Sequence, residues 1–350
     1  MELFTKVDIP FSDFKIDYTK KTVFIGSCFA EKIAKKFLER KFQILLNPLG
    51  IVYNPLSIAN MLERISLCGQ SQYRGEELFF DGERWNCWDA HGSLSVAVSE
   101  KLDRDGAKIQ CATRLNSELN AARDFLKEAD TAFITLGTAF VYFLKETGKA
   151  VSNCHRQKPE LFDRRMITVA EGAAALQRIV HALQSLNPRI RVVFTVSPLR
   201  HLSDGAHGNN LSKATLHLAI QSAMEDSGNG PVGYFPSYEI AMDELRDYRF
   251  YEEDMIHLSE TAEEYIFQRM VETYCEQHTV ENMRRVEKFM KTVNHRITNE
   301  NSPKIEAFAK SQIAAAKFLE SNIRGLDLGK EKTHYEEMLG HNGQSAKSCV

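Results

Sequence analysis

Residues 22–31 read Thr-Val-Phe-Ile-Gly-Ser-Cys-Phe-Ala-Glu, and the rest of the chain is organised around this stretch. The β-branched and aromatic run at 22–25 predicts a short buried strand, and apolar residues then recur at spacings near 3.6, which predicts a helix. A turn through Gly26 would place the Ser27 side chain at the carboxyl edge of a sheet, beside the first free N–H groups of that helix. Acyl transfer requires this geometry, but a simple βα turn with Ser27 as helix N-cap explains the same residues.

Length and composition describe an ordinary globular protein. The 350 residues are 43% apolar and 26% charged, with a net charge of -3, which is typical of one large decorated domain or two domains. The charge gives no reason to expect nucleic acid or an anionic membrane surface as partner. No window of 18 apolar residues and no secretory signal are evident, and seven scattered cysteines favour reduced thiols. We therefore expect a cytoplasmic location.

Strand and helix patterns alternate along most of the chain. Apolar runs too continuous for a half-exposed sheet predict strands at 22–25, 131–136, 190–196 and 232–235. Helical patterns follow them at 29–40, 56–67, 104–128, 169–186, 213–224 and 261–275. This alternation predicts a parallel sheet covered on both faces by helices, with the polar segments that follow the strands gathered at one edge. Two of these segments, after Ala139 and from Ser197 to Asn210, are expected to be irregular.

Two regions depart from the alternation. Residues 70–98 are interpreted as an insertion over one end of the main sheet, with a hairpin around the Asp81-Gly82 turn. Residues 276–350 are charged and helix-prone, so they are predicted to form a C-terminal helical extension with a frayed end. The expected domain division is therefore 1–275 and 276–350.

The second stretch that could carry chemistry is Asp254-x-x-His257. Side chains three residues apart at the start of a helix point to the same side of one turn, so the carboxylate can orient the imidazole. The imidazole could then act as general base to a serine presented by another strand. A lone Asp-x-x-His is common, but its combination with Ser27 after the first strand is much less expected by chance. The order Ser, Asp, His is the arrangement of SGNH (GDSL-like) hydrolases, which this chain resembles.

A more specific resemblance rests on several longer strings. Gly26-Ser27-Cys28-Phe29-Ala30 matches the signature of the GSCFA family, and the resemblance covers about residues 20–275. The other strings similar to that family lie at 47–55, 135–139, 153–155, 195–201, 234–239 and 243–257. The family is uncharacterised in substrate, so the resemblance implies a superfamily and a reaction class only.

The resemblance implies a three-layer α/β/α sandwich, similar to SGNH hydrolases and to flavodoxin, with Ser27 as nucleophile, His257 as base and Asp254 as its orienting group. It also implies an oxyanion hole made from the Ser27 N–H, the Gly50 N–H and an asparagine after the third strand. Ala139 stands where that asparagine would be. One missing donor typically costs about 10²–10³ in rate, roughly 3–4 kcal/mol. We expect Asn153 or His155 to replace it, or else Asn153 caps a turn and His155 packs against the tryptophan-bearing insertion.

Other residues have competing interpretations. Cys28 is expected to point into the sheet rather than act as nucleophile. Arg200, His201 and Tyr248 are candidate substrate-binding residues, although Arg200 could instead pair with a nearby aspartate such as Asp204. Six scattered cysteines and histidines lack the spacing of a structural zinc site, so no metal is expected: Cys87, His91, Cys154, His155, His201 and His207.

These observations lead to two hypotheses of function. The first is a serine esterase or O-acyltransferase that uses no cofactor and acts on a small-molecule or carbohydrate ester, with acetylated carbohydrate as the substrate class. The second is a catalytically silent binding or scaffold module that keeps the SGNH shell. Ala139 is the residue that favours the second hypothesis. The patterns give no indication of the oligomeric state.

Overall fold

The structure is a computed structural model that describes residues 5–67, 72–226, 232–294 and 304–345. Its strands are β1 (Lys21–Gly26), β2 (Gln43–Leu46), β3 (Leu78–Phe80), β4 (Arg84–Cys87), β5 (Val96–Ala97), β6 (Thr131–Leu136), β7 (Phe140–Leu144), β8 (Ala150–Val151), β9 (Phe162–Met166), β10 (Arg191–Val196) and β11 (Val232–Tyr234). Its helices are α1 (Cys28–Glu39), α2 (Pro55–Ser66), α3 (Arg104–Leu126), α4 (Val169–Leu186), α5 (Gly205–Asp226), α6 (Ser237–Glu239), α7 (Glu260–Tyr274), α8 (Gln277–Val293), α9 (Lys304–Asn322) and α10 (Gly329–Ser345).

The main sheet has five strands in the order β11-β10-β6-β1-β2. Strand β6 pairs in parallel with both β1 and β10, and β11 pairs in parallel with β10. Counted along the chain within this sheet, the order is 2-1-3-4-5, which is the flavodoxin-like order. The predicted α/β fold with a central parallel sheet flanked by helices is confirmed. In this order the chain reverses direction across the sheet beside β1, so the residues after β1 lie where such folds bind ligands.

Close packing at the end of β1 explains its glycine. Gly26 is aligned with Thr135 of β6 and has a φ of 143°, and a Cβ added there would lie 2.2 Å from the Thr135 carbonyl oxygen. No side chain larger than hydrogen fits this position, so the chain can turn from β1 into α1 only through glycine. The strand itself is buried along Thr22–Gly26, as its apolar run predicts.

Two small antiparallel sheets decorate the main one. The predicted hairpin is present as β3 and β4, with β5 pairing on the other side of β4. Residues 70–71 of the predicted insertion lie outside the described residues. The second sheet, β8-β7-β9, occupies the stretch after Ala139 that we expected to be irregular, and that expectation is wrong. Strand β9 exposes three consecutive charged residues and lacks the alternation that marks a half-buried strand, so its sequence does not predict a strand there.

Helix α5 begins eight residues earlier than predicted. The loop expected to run through Asn210 becomes helical at Gly205, which has a φ of 68°. Asn209 is buried and accepts a hydrogen bond from the His201 N–H at 3.0 Å, so a tertiary contact stabilises a glycine- and asparagine-rich first turn. Local propensity is a weak predictor where such contacts exist.

The chain divides into two compact units. The first comprises residues 1–11, 21–34 and 44–270, and the second comprises residues 12–20, 35–43 and 271–350. In the second unit α9 and α10 pack together, and Lys332 pairs with Glu320 at 2.6 Å. The helical character predicted for the C-terminal part is confirmed, whereas the domain boundary at residue 275 stays a prediction. Residues 346–350, part of the end expected to be frayed, lie outside the described residues.

None of the helices in the described ranges is long and apolar enough to cross a lipid bilayer.

Candidate active site

The Asp254-x-x-His257 segment forms a closed turn that holds the two side chains together. Asp254 Oδ1 accepts hydrogen bonds from the backbone N–H groups of Ile256 and His257 at 2.8 and 2.9 Å. Its Oδ2 accepts one from His257 Nδ1 at 2.6 Å. Met255 takes a left-handed conformation with a φ of 58°, and the Glu252 N–H donates to the His257 carbonyl at 2.8 Å. The carboxylate therefore fixes both the orientation of the imidazole and which nitrogen faces away from it.

These contacts also keep the Asp254 carboxylate ionised. The hydrogen bond from the His257 ring, followed by those from the two backbone N–H groups, lowers the pKa of Asp254 to about 2. Hydrogen bonds to the charged form of a carboxyl favour that form. An ionised Asp254 beside Nδ1 leaves Nε2 of His257 as the nitrogen that can accept a proton.

Ser27 lies in the β1–α1 turn, as its sequence predicts. Its carbonyl accepts the Glu31 N–H at 3.2 Å, and its side chain is buried. The Ser27 Oγ has no hydrogen-bond partner among the described residues, so no hydrogen bond joins it to His257. Catalytic hydrogen bonds are often long or poorly aligned before substrate binds, and they tighten in the complex with substrate.

Cys28 faces the site, which corrects the expectation that it points into the sheet. Its Sγ lies 4.0 Å from His257 Nε2 and its side chain is half-buried. Burial raises the pKa of the thiol, an effect that the backbone N–H groups of Cys28 and Phe29 only partly offset. The first residue of α1 therefore carries a protonated thiol beside the imidazole, and His257 stands at the β1–α1 turn.

The backbone N–H of Gly50, predicted to stabilise an oxyanion, is already engaged. It donates to the Asn47 carbonyl at 2.8 Å in a tight turn directly after β2. Gly50 itself has a φ of 80°, and a Cβ there would lie 2.3 Å from His91 Cβ. The glycine is thus required by the close approach of the insertion, and this geometry does not support its amide as an oxyanion donor.

Of the two residues proposed to replace the missing asparagine, Asn153 is engaged in its own turn, whereas His155 Nε2 is buried without a hydrogen-bond partner among the described residues. Asn153 Oδ1 accepts the His155 N–H at 2.7 Å, and its Nδ2 donates to Ser152 Oγ at 3.3 Å, so the side chain caps its own turn. His155 packs edge-on against Phe79 and Trp88 of the insertion, with ring centroids 5.3 and 5.6 Å away. The structure therefore supports the alternative interpretation of both residues. Burial lowers the pKa of His155 to about 4, so the ring is neutral.

The sequence did not single out two polar residues at this edge. Asn47, directly after β2, accepts the Gly26 N–H through its Oδ1 at 2.8 Å, while its Nδ2 is buried without a partner among the described residues. Lys213 of α5 is buried, and its Nζ donates to the carbonyls of Gly137 and Ser197 at 2.6 and 2.7 Å. Burial lowers the pKa of Lys213 to about 7. Asn47 stands within a string shared with the GSCFA family, but no sequence signal marked Lys213.

The candidate substrate-binding residues take three different environments. The Arg200 guanidinium lies over the Tyr251 ring at 5.1 Å, whereas Asp204 pairs with Arg164 at 2.6 Å, so the predicted alternative pairing of Arg200 with Asp204 is wrong. The His201 ring stacks on Tyr53 at 5.6 Å, and burial lowers its pKa to about 4. Tyr248 is 71% exposed, on the segment that leads to His257.

Among the described residues, one group has the side chains and spacing to hold a metal ion. Ligand atoms of Glu252, Asp254 and His257 lie within 4.8 Å of one another. Two of these atoms are engaged with each other in the Asp254–His257 hydrogen bond, and both carboxylates are exposed. Exposed acidic groups of this kind are common without an ion, so the arrangement fits the orienting of a base better than a metal centre.

Comparisons with known proteins give one family and two distant structural similarities. A family model described as the GSCFA family matches residues 21–270. A search of curated proteins found no match. An acetyl xylan esterase (Est2A) from the rumen bacterium Butyrivibrio proteoclasticus is 13% identical with a TM-score of 0.37, covering 73% of this chain and 63% of that one. A carbohydrate esterase family 3 protein from Talaromyces cellulolyticus is 8% identical with a TM-score of 0.34, and the match covers 76% of this chain and 98% of that one.

This chain thus spans less than two thirds of the length of the first of these structures.

Proposed function

The chain belongs to the GSCFA family, and from that premise we propose that it is an SGNH-type serine hydrolase or O-acyltransferase. The proposed substrate is an O-acyl ester, with acetylated carbohydrate as its class, and the catalytic residues are Ser27, His257 and Asp254. The observation that carries the proposal is the 2.6 Å hydrogen bond from His257 Nδ1 to Asp254 Oδ2. It leaves the other nitrogen of the imidazole at the turn that presents Ser27.

The proposed reaction needs only the side chains of the chain and an acyl acceptor. Ser27 Oγ transfers its proton to His257 Nε2 and forms a bond to the ester carbonyl carbon, whose oxygen becomes an oxyanion. Asp254 stabilises the imidazolium that results. The oxyanion then collapses, the ester C–O bond breaks, and His257 returns the proton to the departing alcohol. Water or a second alcohol then gives its proton to the same imidazole and bonds to the acyl carbon. The bond from that carbon to Ser27 Oγ breaks, and His257 returns the proton to Oγ.

The side chains on the segments near His257 support an ester of a polar alcohol as substrate. Tyr248 is exposed and lies 6.5 Å from Tyr251, ring to ring, and Arg200 covers the Tyr251 ring. The Tyr251 residue pairs with Leu258, which follows His257, through an isolated β-bridge. Aromatic faces with a hydrogen-bonding cation beside them suit the apolar faces and hydroxyls of a sugar ring. The location in the cytoplasm and the absence of nucleic-acid or membrane partners stay predictions.

An activity-based serine probe tests the proposal without knowledge of the substrate. A fluorophosphonate should label Ser27, and both Ser27→Ala and His257→Ala should abolish labelling while circular dichroism and thermal unfolding remain close to those of the unaltered protein. Labelling that persists in both folded variants would show that neither residue does the proposed chemistry.

One observation favours the second candidate function, a catalytically silent binding or scaffold module. Ser27 Oγ has no hydrogen-bond partner among the described residues, and the Gly50 N–H and the Asn153 carboxamide, both predicted as oxyanion donors, are engaged elsewhere. If the unaltered protein does not react with fluorophosphonates of several sizes at high concentration, the silent module is the better account.

A further inference from the structure

Two buried polar atoms lie next to Gly26 at the end of β1. Ser27 Oγ and Asn47 Nδ2 each lack a hydrogen-bond partner among the described residues, although both atoms are shielded from solvent. Gly26 connects them, because its N–H donates to Asn47 Oδ1 at 2.8 Å and Ser27 is the next residue in the chain. Buried polar groups are nearly always paired in native proteins, and each exception needs an explanation such as a catalytic role.

Several contacts hold Asn47 in this place. Its backbone N–H donates to the Phe24 carbonyl at 2.9 Å, and its carbonyl accepts the Gly50 N–H. Its φ of 41° lies in the left-handed region, which asparagine adopts more readily than most residues. The carboxamide is planar, and its oxygen accepts the Gly26 N–H, so the Nδ2 group is held beside the residue that precedes Ser27. This donor is therefore positioned before any reaction begins.

Three other groups that could stabilise an oxyanion at Ser27 are engaged elsewhere, while the His155 ring, whose Nε2 has no partner among the described residues, packs against the insertion. The Gly50 N–H donates to Asn47, and both polar atoms of the Asn153 carboxamide are used within its own turn. The Ala139 N–H donates to Ser212 Oγ at 2.7 Å, and its side chain has no polar group. Asn47 differs from these groups in two ways: it is hydrogen-bonded to Gly26, the residue before Ser27, and its Nδ2 has no acceptor among the described residues.

We propose that Asn47 Nδ2 donates the side-chain hydrogen bond to the oxyanion that forms when Ser27 attacks an ester, in place of the asparagine absent at Ala139. The inference rests on the proposed acyl transfer at Ser27. When Oγ bonds to the carbonyl carbon, the π electron pair moves onto the carbonyl oxygen, and Asn47 donates to this oxygen without transferring its proton. The hydrogen bond from the Gly26 N–H to Oδ1 draws electron density from the carboxamide and strengthens Nδ2 as a donor.

Two substitutions separate a donor role from a structural one. Asn47→Asp keeps an oxygen for the Gly26 N–H and tolerates the left-handed backbone, but it replaces the donor with an anion. Asn47→Gly tolerates the backbone and removes the whole side chain, without adding charge. We expect both to lower kcat for p-nitrophenyl acetate hydrolysis about 10²–10³-fold and to change KM little, because the contact forms only in the transition state.

The matched control is Asn187→Asp. Asn187 is also a buried asparagine, with Nδ2 donating to the Ala129 carbonyl at 2.8 Å and Oδ1 accepting the Arg189 N–H. It precedes the amino end of β10, whereas Asn47 follows the carboxyl end of β2. Its kcat should stay within a few-fold of that of the unaltered protein. Thermal unfolding of all variants, together with fluorophosphonate labelling, shows how much of each sample is folded and reactive.

The outcomes distinguish this inference from the function on which it rests. Normal kcat in folded Asn47→Asp, with a loss in Asn47→Gly only, would assign Asn47 a structural role and overturn the inference while leaving Ser27 as nucleophile. Normal kcat in both variants would overturn it equally. If the unaltered protein neither hydrolyses the ester nor reacts with the probe, the proposed function fails and the role of Asn47 fails with it.

Discussion

Cys28 Sγ lies 4.0 Å from His257 Nε2, so the imidazole oriented by Asp254 faces the residue that follows the proposed nucleophile. The relationship places the two ends of a long stretch of chain in one site, because Cys28 begins α1 and His257 lies shortly before α7. It also means that the nucleophile must be identified by experiment, since a thiol and a hydroxyl compete for the same base.

The first prediction distinguishes these two nucleophiles. Burial raises the pKa of the Cys28 thiol, and a protonated thiol is a poor nucleophile, so Cys28→Ala should keep fluorophosphonate labelling while Ser27→Ala loses it. Mass spectrometry of the labelled peptide identifies the modified residue. The reverse pattern, with loss in Cys28→Ala and retention in Ser27→Ala, would make Cys28 the nucleophile.

The second prediction concerns the residue that orients the base. Asp254→Asn should lower kcat roughly 10²–10⁴-fold, because an amide can hold His257 in the wrong tautomer while still accepting the backbone N–H groups. Glu252→Gln is the matched control, since it removes a neighbouring carboxylate that makes no hydrogen bond to the His257 ring. If Glu252→Gln is as damaging as Asp254→Asn, and EDTA also inhibits, the three side chains hold a metal instead.

The pH dependence of the same variant follows from the pKa of Asp254. This pKa is lowered to about 2 in the folded protein, below its ordinary value near 4, so the carboxylate contributes stability at higher pH that is lost as pH falls from about 4 to about 2. Asp254→Asn should flatten this part of the stability curve, measured by urea unfolding. Activity lost between pH 5 and 7 would then come from a group other than Asp254.

The third prediction concerns the buried lysine of α5. The pKa of Lys213 is lowered to about 7, so between pH 7 and about 10 only the unfolded chain binds this proton. The free energy of unfolding should therefore rise with pH in that window, by up to about 1.4 kcal/mol per pH unit from this group. Lys213→Met should remove that rise in urea unfolding at pH 7 to 9.

The exposed Lys127 serves as a control for Lys213. Its side chain is 49% exposed and pairs with Asp124 on the surface, so Lys127→Met should leave the slope of stability against pH unchanged. An equal slope in Lys213→Met and the unaltered protein would show that the buried amine does not titrate in this range.

The fourth prediction tests the glycine of the β1–α1 turn. Gly26→Ala should lower the free energy of unfolding by roughly 2–4 kcal/mol, because the new Cβ would have to displace the Thr135 carbonyl from a 2.2 Å contact. Gly82→Ala is the matched control, with a φ of 108° but open space around it, and should cost only its backbone strain, about 1–2 kcal/mol. Similar losses in the two variants would mean that backbone strain, not the contact with β6, makes Gly26 necessary.

The sequence alone determined the features that depend on neighbours along the chain. The run from Thr22 to Ile25 and the 3.6-residue spacing after it predicted β1 and α1, because strand and helix periodicity is local. The Asp254–His257 pair was predictable for the same reason, since three residues span one turn. That the strands of the main sheet run parallel followed from the alternation of continuous apolar strands with helices.

Only the tertiary structure decided which polar groups are free at the edge of the sheet. Backbone geometry and the packing of distant segments occupy the amides of Gly50 and Asn153 and turn Cys28 toward His257. They also leave Asn47 Nδ2 without a partner among the described residues. Strand β9 was missed because its pairing with β7 stabilises it against weak local propensity. The first turn of α5 was missed because the hydrogen bond from His201 to Asn209 stabilises it in the same way. Hydrogen-bond donors and acceptors can be counted from a sequence, but which of them remain unpaired depends on where the folded chain brings their partners.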